Sequence, residues 1–139
     1  MRKELLLVDD DRIFNLLHTR FFEKAGVNLS NLKSFRGGDE CISYLDDHTS
    51  SDQTVFLVLL DITMPVMDGW DFLEEVQNRS YKDNMLVVMV SSSVDGADKE
   101  KAKTYSQVLD YVEKPLSPSF IEQLKTEKRI DGFFPGDRL

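Results

Sequence analysis

The sequence is poor in the features that mark several classes of protein. Its single cysteine, Cys41, excludes an internal disulfide and favours a reducing compartment. Its long apolar runs, such as Val55–Leu60, are far too short to span a bilayer. It has 17 Lys and Arg residues against 25 Asp and Glu residues, and this net charge of −8 argues against direct binding to nucleic acid. No G-x-G-x-x-G follows the first apolar run, which disfavours a nucleotide-binding Rossmann domain. We therefore expect a cytoplasmic protein with no membrane insertion.

Short apolar runs alternate with helix-like patterns along the 139 residues, as in a single α/β domain. Two of the runs, the third and fourth, are apolar throughout, as expected for parallel strands covered on both faces. The second predicted strand is the weakest of the five. The predicted strands are Leu5–Val8, Leu32–Phe35, Val55–Leu60, Leu86–Val90 and Val108–Val112.

Five helices are predicted from apolar residues at helical spacing. His18 and His48 have no residue at a spacing that would form a functional site with them, so both are expected to be exposed. The fourth helix, within 96–105, has a thin apolar face and should be the least firmly anchored. Ser117 and Pro118 are typical of the start of the fifth helix. The predicted buried faces are Ile13, Leu16, Leu17 and Phe21; Cys41, Ile42 and Leu45; Phe72, Leu73 and Val76; and Phe120, Ile121 and Leu124.

This alternation predicts right-handed crossovers and a doubly wound parallel sheet with helices on both faces. Ligands of such sheets bind beyond the carboxyl ends of the strands. Polar residues follow four of the predicted strands at that edge. They are Asp9–Asp11 after the first strand, Asp61 after the third, Ser91 after the fourth and Lys114 after the fifth.

Three adjacent carboxylates need compensation, because each like-charged pair at about 4 Å costs roughly 1 kcal/mol in water and about 4 kcal/mol near a protein surface. Asp11 is expected to cap the following helix. Converging carboxylates without His or Cys suit a hard cation, Mg²⁺ above all. A lysine and a serine at the same edge would bind further oxygens of a phosphoryl group. One aspartate could then act as a nucleophile and become an acyl phosphate.

Four motifs closely resemble those of the receiver domain of two-component response regulators. They occur in order within residues 3–128, and together they are far more specific than any one alone. The resemblance implies a flavodoxin-like (βα)5 fold with the parallel sheet in the order 2-1-3-4-5. The motifs are VDDD at 8–11, LLDITMPVMDG at 59–69, MVSS at 89–92 and YVEKP at 111–115.

The resemblance implies a role for each acidic residue at the predicted edge. Asp61 would accept the phosphoryl group and ligate Mg²⁺. Asp10 would ligate the metal directly, and Asp9 would assist through water. The backbone carbonyl of Thr63 would complete the set of protein ligands.

The resemblance also implies a switch. Ser91 would bind the phosphoryl group through its hydroxyl, Lys114 would pair with the phosphorylated aspartate, and Tyr111 would change rotamer with the state of Ser91. The Lys114–Pro115 bond would be cis. Two residues depart from the common pattern: Ser91 replaces the commoner threonine, and Ser92 stands where alanine or glycine is usual. Neither departure removes a chemical group that the mechanism needs.

These roles imply a signalling phosphoacceptor rather than an enzyme. A sensor histidine kinase or histidine phosphotransfer protein would supply the phosphoryl group, and a downstream protein would recognise the surface formed by 96–105, 108–112 and the last helix. The protein would be a monomer or a phosphorylation-dependent dimer. Because only a short segment follows Lys114, we expect a receiver domain over 1–128, a tail over 129–139 and no output domain.

Two alternative functions and one question about the tail remain at this point. A haloacid-dehalogenase-like phosphatase would need a second aspartate two residues after the nucleophile, where this chain has Thr63. An interaction module on a receiver scaffold would act without phosphorylation. In the tail, Phe133-Phe134-Pro135 would either pack on its own domain or belong to a partner surface.

Overall fold

The computed structural model describes residues 2–48, 54–92, 95–130 and 133–134, in which strands and helices alternate. Short 3-10 helices occur at Leu29–Asn31, Ser80–Asn84 and Lys128–Ile130. Among the described residues, none of the helices is both long and apolar enough to cross a membrane. The main elements are β1 (Arg2–Val8), α1 (Arg12–Lys24), β2 (Leu32–Phe35), α2 (Gly38–His48), β3 (Thr54–Asp61), α3 (Gly69–Val76), β4 (Met85–Ser91), α4 (Gly96–Ala102), β5 (Val108–Glu113) and α5 (Pro118–Leu124).

The five strands form one parallel sheet in the order β2-β1-β3-β4-β5, as predicted. The first and third strands are therefore neighbours, with Val8 of β1 opposite Leu60 of β3. Each predicted strand is found, and the observed bounds extend the predicted ones by at most a few residues. The register brings the residues after β1 and at the end of β3 side by side.

Side chains from the strands alternate between two apolar layers because successive residues of a strand point to opposite faces. One layer packs against α2 and α3, and it includes Leu6, Val58, Cys41 and Phe72. The other packs against α1 and α5, and it includes Leu5, Leu57, Val88, Phe22 and Ile121. Both faces of the central strands are covered, which explains why their sequences are apolar throughout.

The predicted buried face of α1 is wrong for two of its four residues, whereas Leu17 is half-buried and Phe21 packs against the core. Ile13 is 73% exposed and Leu16 is 57% exposed, whereas the residues of α1 that are buried are Asn15, His18 and Phe22. The expectation of an exposed His18 is wrong too, because the imidazole is only 1% exposed. Asn15 and His18 turn inward because backbone groups of the adjoining loops need hydrogen-bond partners there.

The other helices follow their sequence signals. Ala102 is the buried residue of α4, so the thin face predicted for this helix is confirmed. Ser117 caps α5 and accepts a hydrogen bond from the Phe120 N–H, with Pro118 in the first turn. His48 is exposed, as predicted.

The aromatic residues of the tail pack on the same domain. Phe133 and Phe134 are buried in the layer that contains α1 and α5, and the rings of Phe134 and Phe22 lie 6.3 Å apart. This arrangement supports the first of the two alternatives for the tail. Pro135 lies outside the described residues, and the domain boundary after residue 128 stays a prediction.

We expect Phe134→Ala to lower the free energy of unfolding by about 3–5 kcal/mol, because truncating a buried phenylalanine removes apolar contact and leaves a cavity. Urea denaturation of the two proteins measures the difference. Leu16→Ala is the control, since an exposed side chain should change stability by no more than about 0.5 kcal/mol. Equal stability of Phe134→Ala and the wild type would contradict the packing described for the tail.

Candidate metal and phosphoacceptor site

Three carboxylates meet at the carboxyl edge of the sheet, as predicted. Asp9 follows β1, and Asp61 is the last residue of the neighbouring strand β3. Asp9 is 3% exposed and Asp61 is 2% exposed, whereas Asp10 is exposed to solvent. One carboxylate oxygen from each of the three residues lies within 4.8 Å of the others. We call Asp9, Asp10 and Asp61 the acidic cluster.

Lys114 brings a positive charge into this cluster from the end of β5. Its Nζ atom lies 3.1 Å from Asp9 Oδ2 and 3.4 Å from Asp61 Oδ2. The backbone N–H of Lys114 donates to the Ser91 carbonyl at 2.8 Å, and the Lys114–Pro115 peptide is cis, as the resemblance implied. One ammonium therefore pairs with two of the three carboxylates in the acidic cluster.

The pKa values reflect this imbalance. Burial, reinforced by the charge of Asp9, raises the pKa of Asp61 to about 7 even though Lys114 opposes the shift. Burial also raises the pKa of Asp9, against hydrogen bonds from the Asp11 N–H and from Lys114. Burial acts to lower the pKa of Lys114, but Asp9 and Asp61 outweigh it and raise that pKa. A further positive charge would relieve the repulsion between the acids.

The chemistry of these donors fits a hard divalent cation. All three side chains offer carboxylate oxygens, and among the described residues the cluster contains neither a histidine nor a cysteine ligand. Asp10 is open to solvent, so a cation held here would keep water in part of its coordination sphere, as Mg²⁺ prefers. Thr63 is exposed two residues after Asp61, and the role of its carbonyl stays a prediction.

The loop that leaves Asp61 is fixed by a close backbone contact with α3. The Gly69 N–H donates to the Ile62 carbonyl at 2.8 Å. A Cβ atom at Gly69 would lie 2.8 Å from the Asp61 carbonyl oxygen, so this position needs glycine. Asp68 caps α3 and exchanges hydrogen bonds with Asp71, which agrees with its predicted place in a turn that starts the helix.

The predicted switch residues lie on β4 and β5. Ser91 ends β4 and is paired in the sheet with Glu113, and Tyr111 is buried two residues before Glu113. The Tyr111 hydroxyl donates to Asp98 of α4 at 3.5 Å. Burial raises the pKa of Tyr111, and a hydrogen bond with the Ser91 side chain opposes this shift. Tyr111 therefore connects the edge of the sheet with α4.

Three residues of α1 contact this site and were missed in the sequence. The Phe14 ring lies under the Lys114 ammonium, with Nζ 4.4 Å from its centroid. The Asn15 amide donates to the backbone carbonyls of Asp9, at 2.9 Å, and of Phe35, at 3.2 Å. His18 accepts a hydrogen bond from the backbone N–H of Leu116, at 3.1 Å. The sequence signal for these residues is their helical spacing. It was obscured because Ile13 and Leu16 form a more apolar pattern in the same helix.

The model of the response regulator receiver domain family matches residues 5–125. The chain belongs to this family. A methanogenesis regulatory protein (probable, FilR2) from Methanothrix harundinacea is 28% identical over 133 residues, covering 95% of this chain and 83% of that protein. Several other curated relatives are longer, and the chain spans less than half of their length.

Solved receiver structures have the same fold. A two-component response regulator from Cytophaga hutchinsonii has a TM-score of 0.74 and 27% identity, with 88% of this chain and 93% of that chain covered. A CheY-like receiver domain protein from Methanospirillum hungatei has a TM-score of 0.67 and 27% identity, with coverage of 89% and 91%. The receiver fold and the membership of the chain in the response regulator receiver family are thus established.

In the absence of metal, we expect the contribution of Asp61 to the free energy of unfolding to fall as the pH rises from about 4 to about 7. The pKa of Asp61 is raised from 3.8 to about 7 in the folded protein. The native state thus keeps a proton on Asp61 in this interval that the unfolded chain has lost, and this contribution falls with pH. His18, whose pKa is lowered to about 4 by burial, contributes in the opposite direction. Urea denaturation in EDTA at several pH values measures the slope. Asp61→Asn should make the slope more positive than that of the wild type, and an unchanged slope in this variant would contradict the assignment to Asp61.

We expect millimolar Mg²⁺ to raise the melting temperature, because binding to the native acidic cluster stabilises the folded state by about 2.7 kcal/mol at 100 times the dissociation constant. NaCl at equal ionic strength is the control for general screening, and it should have a smaller effect. Asp10→Asn should weaken the response. Equal melting temperatures in Mg²⁺ and in NaCl would count against a metal site here.

Proposed function

We propose that this receiver domain accepts a phosphoryl group on Asp61 from the phosphohistidine of a sensor histidine kinase or a histidine phosphotransfer protein, with Mg²⁺ bound at the acidic cluster. The observation that carries the proposal is the position of the Lys114 ammonium, 3.1 Å from Asp9 and 3.4 Å from Asp61, beside three converging carboxylates. This arrangement combines a nucleophile, a cation site and a fixed positive charge.

The transfer needs one bond to form and one to break. A carboxylate oxygen of Asp61 attacks phosphorus while the bond between phosphorus and the imidazole nitrogen of the donor breaks, and the donor nitrogen keeps the electron pair. Asp9, Asp10, Asp61 and the Thr63 carbonyl would hold Mg²⁺. The bound ion would partly neutralise the negative charge on the phosphoryl oxygens. The Lys114 ammonium would bind a phosphoryl oxygen and balance its negative charge.

The acidic cluster would also favour the ionised nucleophile once the cation is present. In the metal-free protein, burial and Asp9 hold the pKa of Asp61 at about 7, so much of it is protonated at neutral pH. A bound cation favours the carboxylate by direct attraction. The fraction of Asp61 that is ionised at neutral pH would thereby be larger in the metal-bound protein.

The signal would leave the site through Ser91 and Tyr111. Phosphorylation of Asp61 adds roughly two negative charges and new acceptor oxygens. The Ser91 hydroxyl would then bond the phosphoryl group, and this would end its hydrogen bond with Tyr111. Because Tyr111 contacts Asp98 of α4, a change in its rotamer would shift the surface formed by α4, β5 and α5. A downstream protein would bind one of the two states.

The exposed apolar side chains of α1 support docking of the phosphoryl donor beside the acidic cluster. Ile13 and Leu16 project from the first turns of α1, which begins directly after Asp10 and Asp11. They line a groove between α1 and β2 together with Leu29, which is also exposed. Burial of such side chains favours association, and a helix seated here would hold its histidine near Asp61.

We propose no turnover of a separate substrate beyond transfer to Asp61 and slow loss of the phosphoryl group to water. A cytoplasmic location is part of the same proposal, since phosphoryl donors of this kind act where thiols stay reduced, and Cys41 is a buried free thiol. An interaction module that acts without phosphorylation is the competing candidate, and the next experiment separates the two.

We expect the wild-type protein to become labelled by acetyl phosphate in Mg²⁺ and Asp61→Asn to show no labelling, because an amide cannot form the acyl phosphate. Intact-mass spectrometry measures the added phosphoryl group, and hydroxylamine should remove it. EDTA should suppress the labelling of the wild type.

Asp11→Asn is the matched control, because it removes a neighbouring charge yet keeps a residue that caps α1. It should be labelled at close to the wild-type rate. Labelling of Asp61→Asn at the wild-type rate would reject Asp61 as the acceptor. A folded wild type that no small phosphodonor labels would favour the interaction module.

A further inference from the structure

His18 is a buried imidazole on α1 that the transfer chemistry does not use. Its Nε2 atom accepts the backbone N–H of Leu116 at 3.1 Å. The ring is therefore neutral, with its proton on Nδ1. Burial, with the nearby Lys114 charge, lowers the pKa of His18 to about 4, so it stays neutral across the physiological range. Because the buried ring stays neutral, its Nε2 atom can act as a hydrogen-bond acceptor throughout this range.

The N–H that His18 binds belongs to the segment directly after Lys114. Leu116 is buried between the cis Lys114–Pro115 bond and the start of α5. Pro115 has no N–H, so Leu116 provides the first backbone donor after Lys114. A buried N–H needs an acceptor, and α1 supplies it through a side chain.

The same helix also contacts the other end of Lys114. Phe14 lies one turn before His18, with the two rings 6.0 Å apart, and the Phe14 ring lies 4.4 Å from Lys114 Nζ. One face of α1 thus holds the backbone beyond Lys114 through His18 and the ammonium through Phe14. Asn15, next to Phe14, donates to the Asp9 carbonyl at 2.9 Å. The α1 helix therefore links the lysine and the first acid of the cluster.

We infer that His18 is a positioning residue that acts through Lys114: by holding the Leu116 N–H, it sets where the ammonium stands relative to Asp9 and Asp61. The inference rests on the proposed phosphoryl transfer. The Phe14 ring contacts the ammonium, and His18 holds the backbone beyond it, so α1 contacts Lys114 and the segment after it at both ends. Loss of this hydrogen bond lets the backbone of residues 114–116 relax. The Lys114 ammonium then moves away from the position at which it would bind a phosphoryl oxygen.

The test compares His18→Leu, which removes the acceptor, with His18→Gln, whose amide oxygen can reach the place of Nε2. The rate of labelling by acetyl phosphate in saturating Mg²⁺ should fall about tenfold in His18→Leu, since small misplacements at a reacting centre cost one to two orders of magnitude. His18→Gln should stay within about threefold of the wild type. Circular dichroism confirms that each variant is folded.

Phe22→Leu is the matched control. Phe22 is buried one turn further along α1, in the packing with Phe134, and has no contact with Lys114 among those described. Its substitution loosens α1 without touching the Leu116 hydrogen bond. It should lower the melting temperature and leave the labelling rate of the folded protein unchanged. A rate as low as that of His18→Leu would overturn the inference in favour of a general effect of α1 packing.

A double-mutant cycle with Lys114→Ala separates positioning from stability. If His18 acts through the lysine, His18→Leu slows the wild type about tenfold and has little further effect once Lys114 is alanine. The same tenfold loss in both backgrounds overturns the inference, as does an undiminished rate in His18→Leu. Absence of labelling in the wild type would instead refute the proposed function, so the two failures are distinguishable.

Discussion

The pairing of one buried ammonium with two buried carboxylates is the constraint on which the site depends. Lys114 Nζ lies within 3.4 Å of both Asp9 and Asp61, and neither acid is open to bulk water. Burial makes each unpaired charge costly, so the acids need Lys114, and the lysine needs them. The pairing is incomplete, because the carboxylates outnumber the ammonium. This imbalance would favour a bound cation, and the added positive charge would let the site accept an anionic phosphoryl group.

The fold supplies this constraint through strand order and one polar helix face. Parallel strands with β1 beside β3 bring Asp9 and Asp61 together, although they are far apart in the chain. On one side, α1 reaches Asp9 through Asn15 and the segment after Lys114 through His18. On the other, the Gly69 backbone packs against the Asp61 carbonyl. Asp9, Asp61 and the segment after Lys114 are thus held by contacts to their backbone on both sides.

Local sequence signals predicted the strands, the parallel sheet and its polar edge, and the family resemblance implied the strand order that clusters the acids. Apolar runs mark strands covered on both faces, and polar residues directly after them must lie at one edge. Sequence reasoning failed on α1, where Ile13 and Leu16 have the apolar character of buried residues yet are exposed. Asn15 and His18 are buried because distant backbone groups need them, and no local pattern reports such a demand. The placement of Phe14 beneath Lys114 likewise depends on a residue far along the chain and has no local signal.

The central claim is that Asp61 and Lys114 together hold a phosphoryl group in a metal-bound site. A crystal structure of the protein with Mg²⁺ and beryllofluoride, which mimics an aspartyl phosphate, tests it most directly. The account predicts beryllofluoride on a carboxylate oxygen of Asp61, with the Lys114 ammonium and the Ser91 hydroxyl bonded to its fluorines and Mg²⁺ beside Asp10. Beryllofluoride on another residue, or a lysine that stays paired with Asp9 and contacts no fluorine, would contradict it.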